Sequence, residues 1–211
     1  MNVVQSLFPF DNTKFPLSKE VFLDLTKMLC KQFYNLLLER SDISPTAIET
    51  WRRKNRYVAD NWENSLQTVY KTTCDNKLRQ FSFKLLHRIL VTKKELKYFK
   101  ITNDEKCVMC SNLDSIDHTF FECQATLQFY DHSISWFNAQ QKSNVKFTNL
   151  QFFLNLHQPP AHISSQQNEK LALLLICAKQ YVFACKSMQK SPNFNEFSSK
   201  IKLQWKVEKC T

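Results

Sequence analysis

Apolar residues recur every three or four positions along most of the chain. Val21, Phe22, Leu25, Met28, Leu29, Phe33, Leu36 and Leu37 share one broad face, so the pattern predicts a helix capped at Ser18 and running to about Arg40. Ser44 followed by Pro45 reads as an N-cap with proline at the first helical position, opening a helix through about Lys54. A third helix is expected from Asp60 to about Lys71. A fourth is capped by Asp75, with Leu78, Phe81, Leu85 and Ile89 in a stripe. Thr92 with Glu95 makes a capping box for a short fifth. Helical periodicity resumes from Asp117 to about Gln141, with an interruption allowed. It returns from Ser164 or Ser165 to about Met188, and after Pro192 from Asn195 to Lys209. The stretches 142–149 and 155–166 read as hinges. Helices joined by polar loops make an all-α, multi-helix chain, divided into an N-terminal helical segment (1–43), a basic middle region (44–141) and a helical tail (142–211).

Composition sharpens this picture. The 211 residues include no glycine. A phosphate-cradling P-loop, a G-x-G-x-x-G fingerprint and a G-x-S-x-G elbow are therefore excluded. Positive-φ turns must fall to Asn or Asp, which disfavours a β-rich fold with many hairpins. The net charge of +10 is concentrated: residues 51–100 hold thirteen basic and four acidic groups, whereas residues 1–50 hold five and six. Such a balance points to a polyanionic partner. The first thirty residues show no signal-peptide pattern, and the apolar run Leu171 to Cys177 is too short to span a bilayer. The expectation is an intracellular protein, cytoplasmic or nuclear, with no membrane partner and no small-molecule substrate. In that reducing setting eight cysteines are read as metal ligands or buried thiols.

The densest chemistry is Cys107, Cys110, His118 and Cys123, spaced C-x2-C-x7-H-x4-C. Two residues between cysteines let both thiolates reach one ion, and a histidine with a third cysteine completes the closed Cys₃His shell of a structural zinc site. The final spacing sets a condition. Positions i and i+5 of an ideal helix lie about 140° apart. His118 and Cys123 can share Zn²⁺ only if the helix starts or distorts between them. Cys177 and Cys185, in an apolar helix, read as core, as do Cys30 and Cys74. Cys210 and the histidines at 87, 132, 157 and 162 have no recruiting spacing.

The run KLRQFSFKLLHRILVTKKELKYFKI, followed by the Cys–His spacing ending in HTFFEC, resembles the zinc-binding domain at the C-terminal end of non-LTR (LINE-type) retrotransposon reverse transcriptases. FYNLLLERSDISPTAIETW and ALLLICAKQYVFACK with NFNEFSSKIK resemble its flanks, so the resemblance covers roughly residues 30–211. It implies a non-catalytic module that binds nucleic acid beside a polymerase carried on another domain. The polymerase carboxylate pair has no counterpart in this sequence: Tyr57-Val58-Ala59-Asp60 is followed by Asn61.

On the helix after Asp75, Lys77, Lys84 and Arg88 fall opposite the apolar stripe. Lys93, Lys94 and Lys97 follow, and Arg52, Arg53, Lys54 and Arg56 precede. Taken together, Arg52, Arg53, Lys77, Lys84, Arg88, Lys93, Lys94 and Lys97 are the expected contacts to RNA or DNA. Phe81, Phe99, Phe120, Phe121 and Tyr130 lie near the zinc loop, but the sequence singles out none as a base-stacking residue. The competing reading is a zinc-stabilised protein–protein adaptor with no nucleic-acid role. An enzyme finds no nucleophile–base constellation to support it, so no catalytic residue is assigned.

Overall fold

A computed structural model describes residues 14–16, 22–24, 45–54, 60–148, 152–153 and 163–208. The chain forms two compact units, residues 1–44 and 45–211. In the first, β1 (Lys14–Pro16) pairs antiparallel with β2 (Phe22–Asp24), Phe15 opposite Leu23. The helix expected from Ser18 is thus replaced by a strand over 22–24; the rest of that expected helix lies outside the described residues. A segment as short as Phe22-Leu23-Asp24 does not separate the strand period from the helix period, so periodicity alone could not decide.

The second unit is helical: α1 (Thr46–Lys54), α2 (Trp62–Thr72), α3 (Asn76–Leu86), α4 (Lys93–Tyr98), a π-helical turn (His118–Glu122), α5 (Gln124–Gln141), α6 (Ser165–Ser187) and α7 (Phe194–Glu208). The expected segment 142–211 and all but the first residue of 44–141 fall within it. Three starts follow the sequence signals. Asp75 accepts the Lys77 N–H at 2.7 Å, Thr92 and Glu95 cap each other reciprocally, and Ser164 does the same with Gln167.

Residues Leu171 to Ile176 are all buried, which marks α6 as a helix surrounded on every side. Val69 of α2, Leu78 of α3, Phe129 and Phe137 of α5, and Phe197 and Ile201 of α7 pack around it in one core. A second core lies under the Cys–His loop. There Trp51, Trp62, Phe81, Leu85, Leu86 and Phe153 surround Phe120. Trp51 also donates its indole N–H to the Leu86 carbonyl at 2.8 Å.

Helix α3 stops sooner than its stripe. Arg88 takes a left-handed conformation (φ 56°) and ends the helix in a Schellman closure, the Ile89 N–H bonding the Lys84 carbonyl at 2.9 Å. Ile89, expected in the core, is therefore turned out to 56% exposure, and Leu90 is buried instead. Among the described residues the positive-φ positions are Arg88, Lys100, Ser111, Lys142 and Gln189, none of them Asn or Asp.

Candidate metal centre

The first two cysteines sit on a tight loop. An isolated bridge joins Lys106 to Leu113, and Cys107 donates its N–H to the Asn112 carbonyl at 2.7 Å. The Ser111 N–H returns to the Cys107 carbonyl at 2.9 Å, with Ser111 left-handed. Within this loop the Met109 N–H points at the Cys107 sulfur, 3.4 Å away. A backbone donor aimed at sulfur stabilises the thiolate that a metal requires.

The other two ligand candidates come from the π-helical turn. The Cys123 N–H bonds the His118 carbonyl at 2.8 Å, an i→i+5 closure, and Cys123 itself leaves the turn with extended backbone. Widening the turn by one residue stacks position 123 over position 118. This is the distortion that the spacing demanded.

The four ligand atoms lie within 4.8 Å of one another. Cys107 Sγ and Cys123 Sγ are 4.0 Å apart, Cys123 Sγ and Cys110 Sγ 3.9 Å, and Cys110 Sγ and His118 Nε2 3.0 Å. A zinc tetrahedron with sulfur at about 2.3 Å has sulfur–sulfur edges of about 3.8 Å, so the group fits such an ion closely. Four protein ligands leave no open coordination position, and the ion they fit would staple the loop to the π-helical turn.

The electrostatics favour the ligating forms of His118 and Cys123. Burial, then the neighbouring Lys186 ammonium, holds the His118 imidazole below its ordinary pKa and therefore neutral. Burial alone would raise the Cys123 thiol, but the Thr126 backbone N–H and Lys186 outweigh it and lower it. Cys110 goes the other way, raised chiefly by burial.

Two polar clusters, one partly exposed and one buried, fasten this loop to the helices, and neither is evident from the sequence. Asp117, directly before His118, receives the Arg88 guanidinium in a two-pronged pair at 2.9 and 2.8 Å and also the Lys54 ammonium. Burial would raise the Asp117 carboxyl, yet these two cations hold it below its usual value. Arg88 lies 4.6 Å from the Trp51 ring centroid. On the opposite side, Asp114 pairs with Lys186 of α6 at 2.9 Å and accepts the Thr119 hydroxyl at 3.0 Å. Its second oxygen accepts the Lys93 N–H at 3.2 Å, at the start of α4.

The expected nucleic-acid contacts divide accordingly. Arg88 is directed inward: its side chain is 16% exposed and its two terminal nitrogens pair with Asp117. Arg52 and Arg53 are exposed and share Glu49; Lys93 pairs with Asp104 and Lys97 with Glu105. Lys77, Lys84 and Lys94 have no carboxylate partner among the described residues. Arg56 lies outside the described residues. Of the remaining cysteines, Cys185 is buried and Cys177 partly so, while Cys74, expected in the core, is exposed at the end of α2. Cys30 and Cys210 fall outside the described residues, as do His157 and His162. His87 packs against Trp62 and Phe83, and His132 stacks on Phe194. No helix among the described residues is long and apolar enough to cross a membrane.

No curated protein matches the chain. A family model described as zinc-binding in reverse transcriptase matches residues 29–130, a span that includes α1 to α4 and the whole Cys–His cluster. That span and the closed Cys₃His constellation inside it support a reverse-transcriptase zinc-binding domain over residues 29–130.

Proposed function

We propose that the chain is a non-catalytic nucleic-acid-binding module of the LINE-type reverse transcriptase kind. In this reading one Zn²⁺ held by Cys107, Cys110, His118 and Cys123 fixes a basic surface against RNA or DNA. The observation that carries it is the placement of cations beside the metal loop. Lys77 and Lys84 on α3 and Lys94 on α4 reach solvent without carboxylate partners among the described residues, while the apolar side of α3 is buried. Arg52 and Arg53, which share Glu49, add exposed charge at the end of α1. Phosphate neutralisation by such groups releases counterions, so binding must weaken as salt rises.

The test is a salt titration of binding to a labelled single strand. With about four to six phosphates neutralised, log K should fall against log salt with a slope of roughly −3 to −4. Replacing Lys84→Gln with Lys94→Gln should make the slope shallower by about 1 to 1.5. A matched pair on α7, Lys202→Gln with Lys206→Gln, should change it much less. Equal effects from both pairs would reduce the attraction to net charge. Absence of binding to every nucleic acid would leave the protein-adaptor reading in place.

A further inference from the structure

The exposed surface of α4 carries more than charge. Tyr98 is 83% exposed and Phe99 59%, and Ile101 follows at 71%. The other aromatic residues near the metal loop are withdrawn: Phe81, Phe120 and Tyr130 are buried, and Phe121 packs against Trp51 and Phe153. Two adjacent aromatic rings in water at the end of a short helix contribute nothing to either core. Their position is fixed by the backbone. Thr92 and Glu95 cap the start of α4, and at its end the Lys100 N–H bonds the Lys97 carbonyl while the Ile101 N–H bonds the Leu96 carbonyl, both at 2.9 Å. Asp114 anchors the first turn through the Lys93 N–H. The rings are thus presented by a rigid turn tied to the metal loop.

Their surroundings are cationic. Lys94 lies one helical turn before Tyr98, on the same face. Lys97 and Lys100 flank the rings, and the Lys97–Glu105 pair at 2.7 Å brings the segment leading to Lys106 alongside α4. The two rings meet edge to face, centroids 5.5 Å apart and planes at 72°. That contact covers at most one ring face, so flat partners can still stack. Aromatic faces interleaved with lysines match a chain of unpaired nucleotides, in which bases stack on rings and phosphates meet ammonium groups. A duplex keeps its bases stacked on each other and offers these rings nothing equivalent.

We infer that Tyr98 and Phe99 form a base-stacking platform for unpaired nucleotides, with Lys94 and Lys100 holding the adjoining phosphates. This rests on the nucleic-acid reading above and specifies its substrate as single-stranded. The experiment compares Tyr98→Ala, Phe99→Ala and Tyr98→Phe, binding oligouridylate, oligothymidylate and a blunt DNA duplex at one fixed salt concentration. Each alanine variant should weaken single-strand binding by about 5- to 150-fold, the effect of losing one stacked base. Duplex affinity and the salt slope should not move, because no charge is removed. Tyr98→Phe keeps the ring and should bind like the parent. Both side chains are outside the cores, so thermal unfolding should be unchanged in all three variants. If only the RNA strand or only the DNA strand shows the loss, the platform stands and its strand type is identified. Unchanged single-strand affinity in both alanine variants, or equal losses on duplex, would overturn the platform while leaving the nucleic-acid reading intact. Failure of the parent protein to bind all three probes would overturn both.

Discussion

The pair formed by Asp114 and Lys186 gives the sharpest test of how the metal loop is fastened to the helical body. Both side chains are nearly inaccessible, and their charged atoms are 2.9 Å apart. At an effective dielectric constant of about 20 the gross attraction is about 6 kcal/mol, much of it offset by removing both charges from water. Breaking one side of such a pair costs about 3 to 5 kcal/mol, because the survivor is left buried and unpaired. The two halves are not equivalent here. Lys186→Met leaves Asp114 with the Thr119 hydroxyl and the Lys93 N–H, so the loss should be near the lower figure, about 3 kcal/mol. Asp114→Ala leaves the ammonium with only the Thr119 oxygen at 3.0 Å, so it should approach about 5 kcal/mol. The double variant removes both charges and should cost about 2 to 3 kcal/mol less than the sum. Urea unfolding of the four proteins at constant zinc and neutral pH measures the cycle. Each single variant should also surrender its metal faster to a chromophoric chelator, because the loop loses its hold on α6. Single effects that add to within about 0.5 kcal/mol, with zinc release unchanged, would show that the two groups are adjacent but uncoupled.

Three further outcomes follow from other parts of the molecule. Metal analysis should find about one zinc per chain, lost in Cys107→Ser or Cys123→Ser, and chelation should loosen residues 101–130 while far-ultraviolet circular dichroism persists, because the core around α6 does not depend on the cluster; complete loss of helicity would refute this. Lys200, Tyr181 and Lys190 hold the Glu196 carboxyl down at about 2 from its usual 4.5. A depressed acid contributes stability above its unfolded pKa and loses it as the pH falls through the folded one. Glu196→Gln should therefore flatten the stability profile between those two values and leave its shape above pH 6 unaltered, as acid titrations of thermal unfolding would reveal. Gln189, at φ 55°, closes α6 through the Lys190 N–H to the Cys185 carbonyl; Gln189→Gly should raise stability by roughly 0.5 to 1 kcal/mol, the left-handed strain relieved minus the added freedom of the unfolded chain, and a lower denaturation midpoint would contradict the strain argument.

What could be read from the sequence depended on whether its cause was local. Capping residues act within three positions, so Asp75, the Thr92–Glu95 box and the Ser164–Gln167 box appear in the sequence as they do in the fold. The ligand spacing was local too, and even its misfit with an ideal helix was informative, because the helix had to start or distort between His118 and Cys123, and it widens there. Asp114 and Asp117 gave no such signal. Each is an isolated acid in a polar loop, and the partner of Asp114 lies 72 residues further along the chain. A hint existed in α6. A lysine such as Lys179 or Lys186 inside a helix buried all round must find an oxygen, and Lys179 finds the carbonyls of Phe152 and Phe153.

Arg88 shows what a charge pattern leaves out. It lies close to Lys84 in sequence and carries the same charge, but its left-handed backbone turns it off the helix and toward Asp117. The missing glycines explain that choice of residue. A chain without glycine must still close its helices with left-handed residues, and Asp there would repel the negative end of the helix dipole. Arg88, Lys100 and Lys142 place a cation at that end instead. An attraction of about 0.3 to 1 kcal/mol then offsets part of the about 1 to 2 kcal/mol of left-handed strain. Some of the basic excess in this sequence thus belongs to helix termination rather than to a polyanionic partner. Arg88 faces Asp117 instead of solvent, whereas Lys100, whose side chain remains exposed, can serve both purposes.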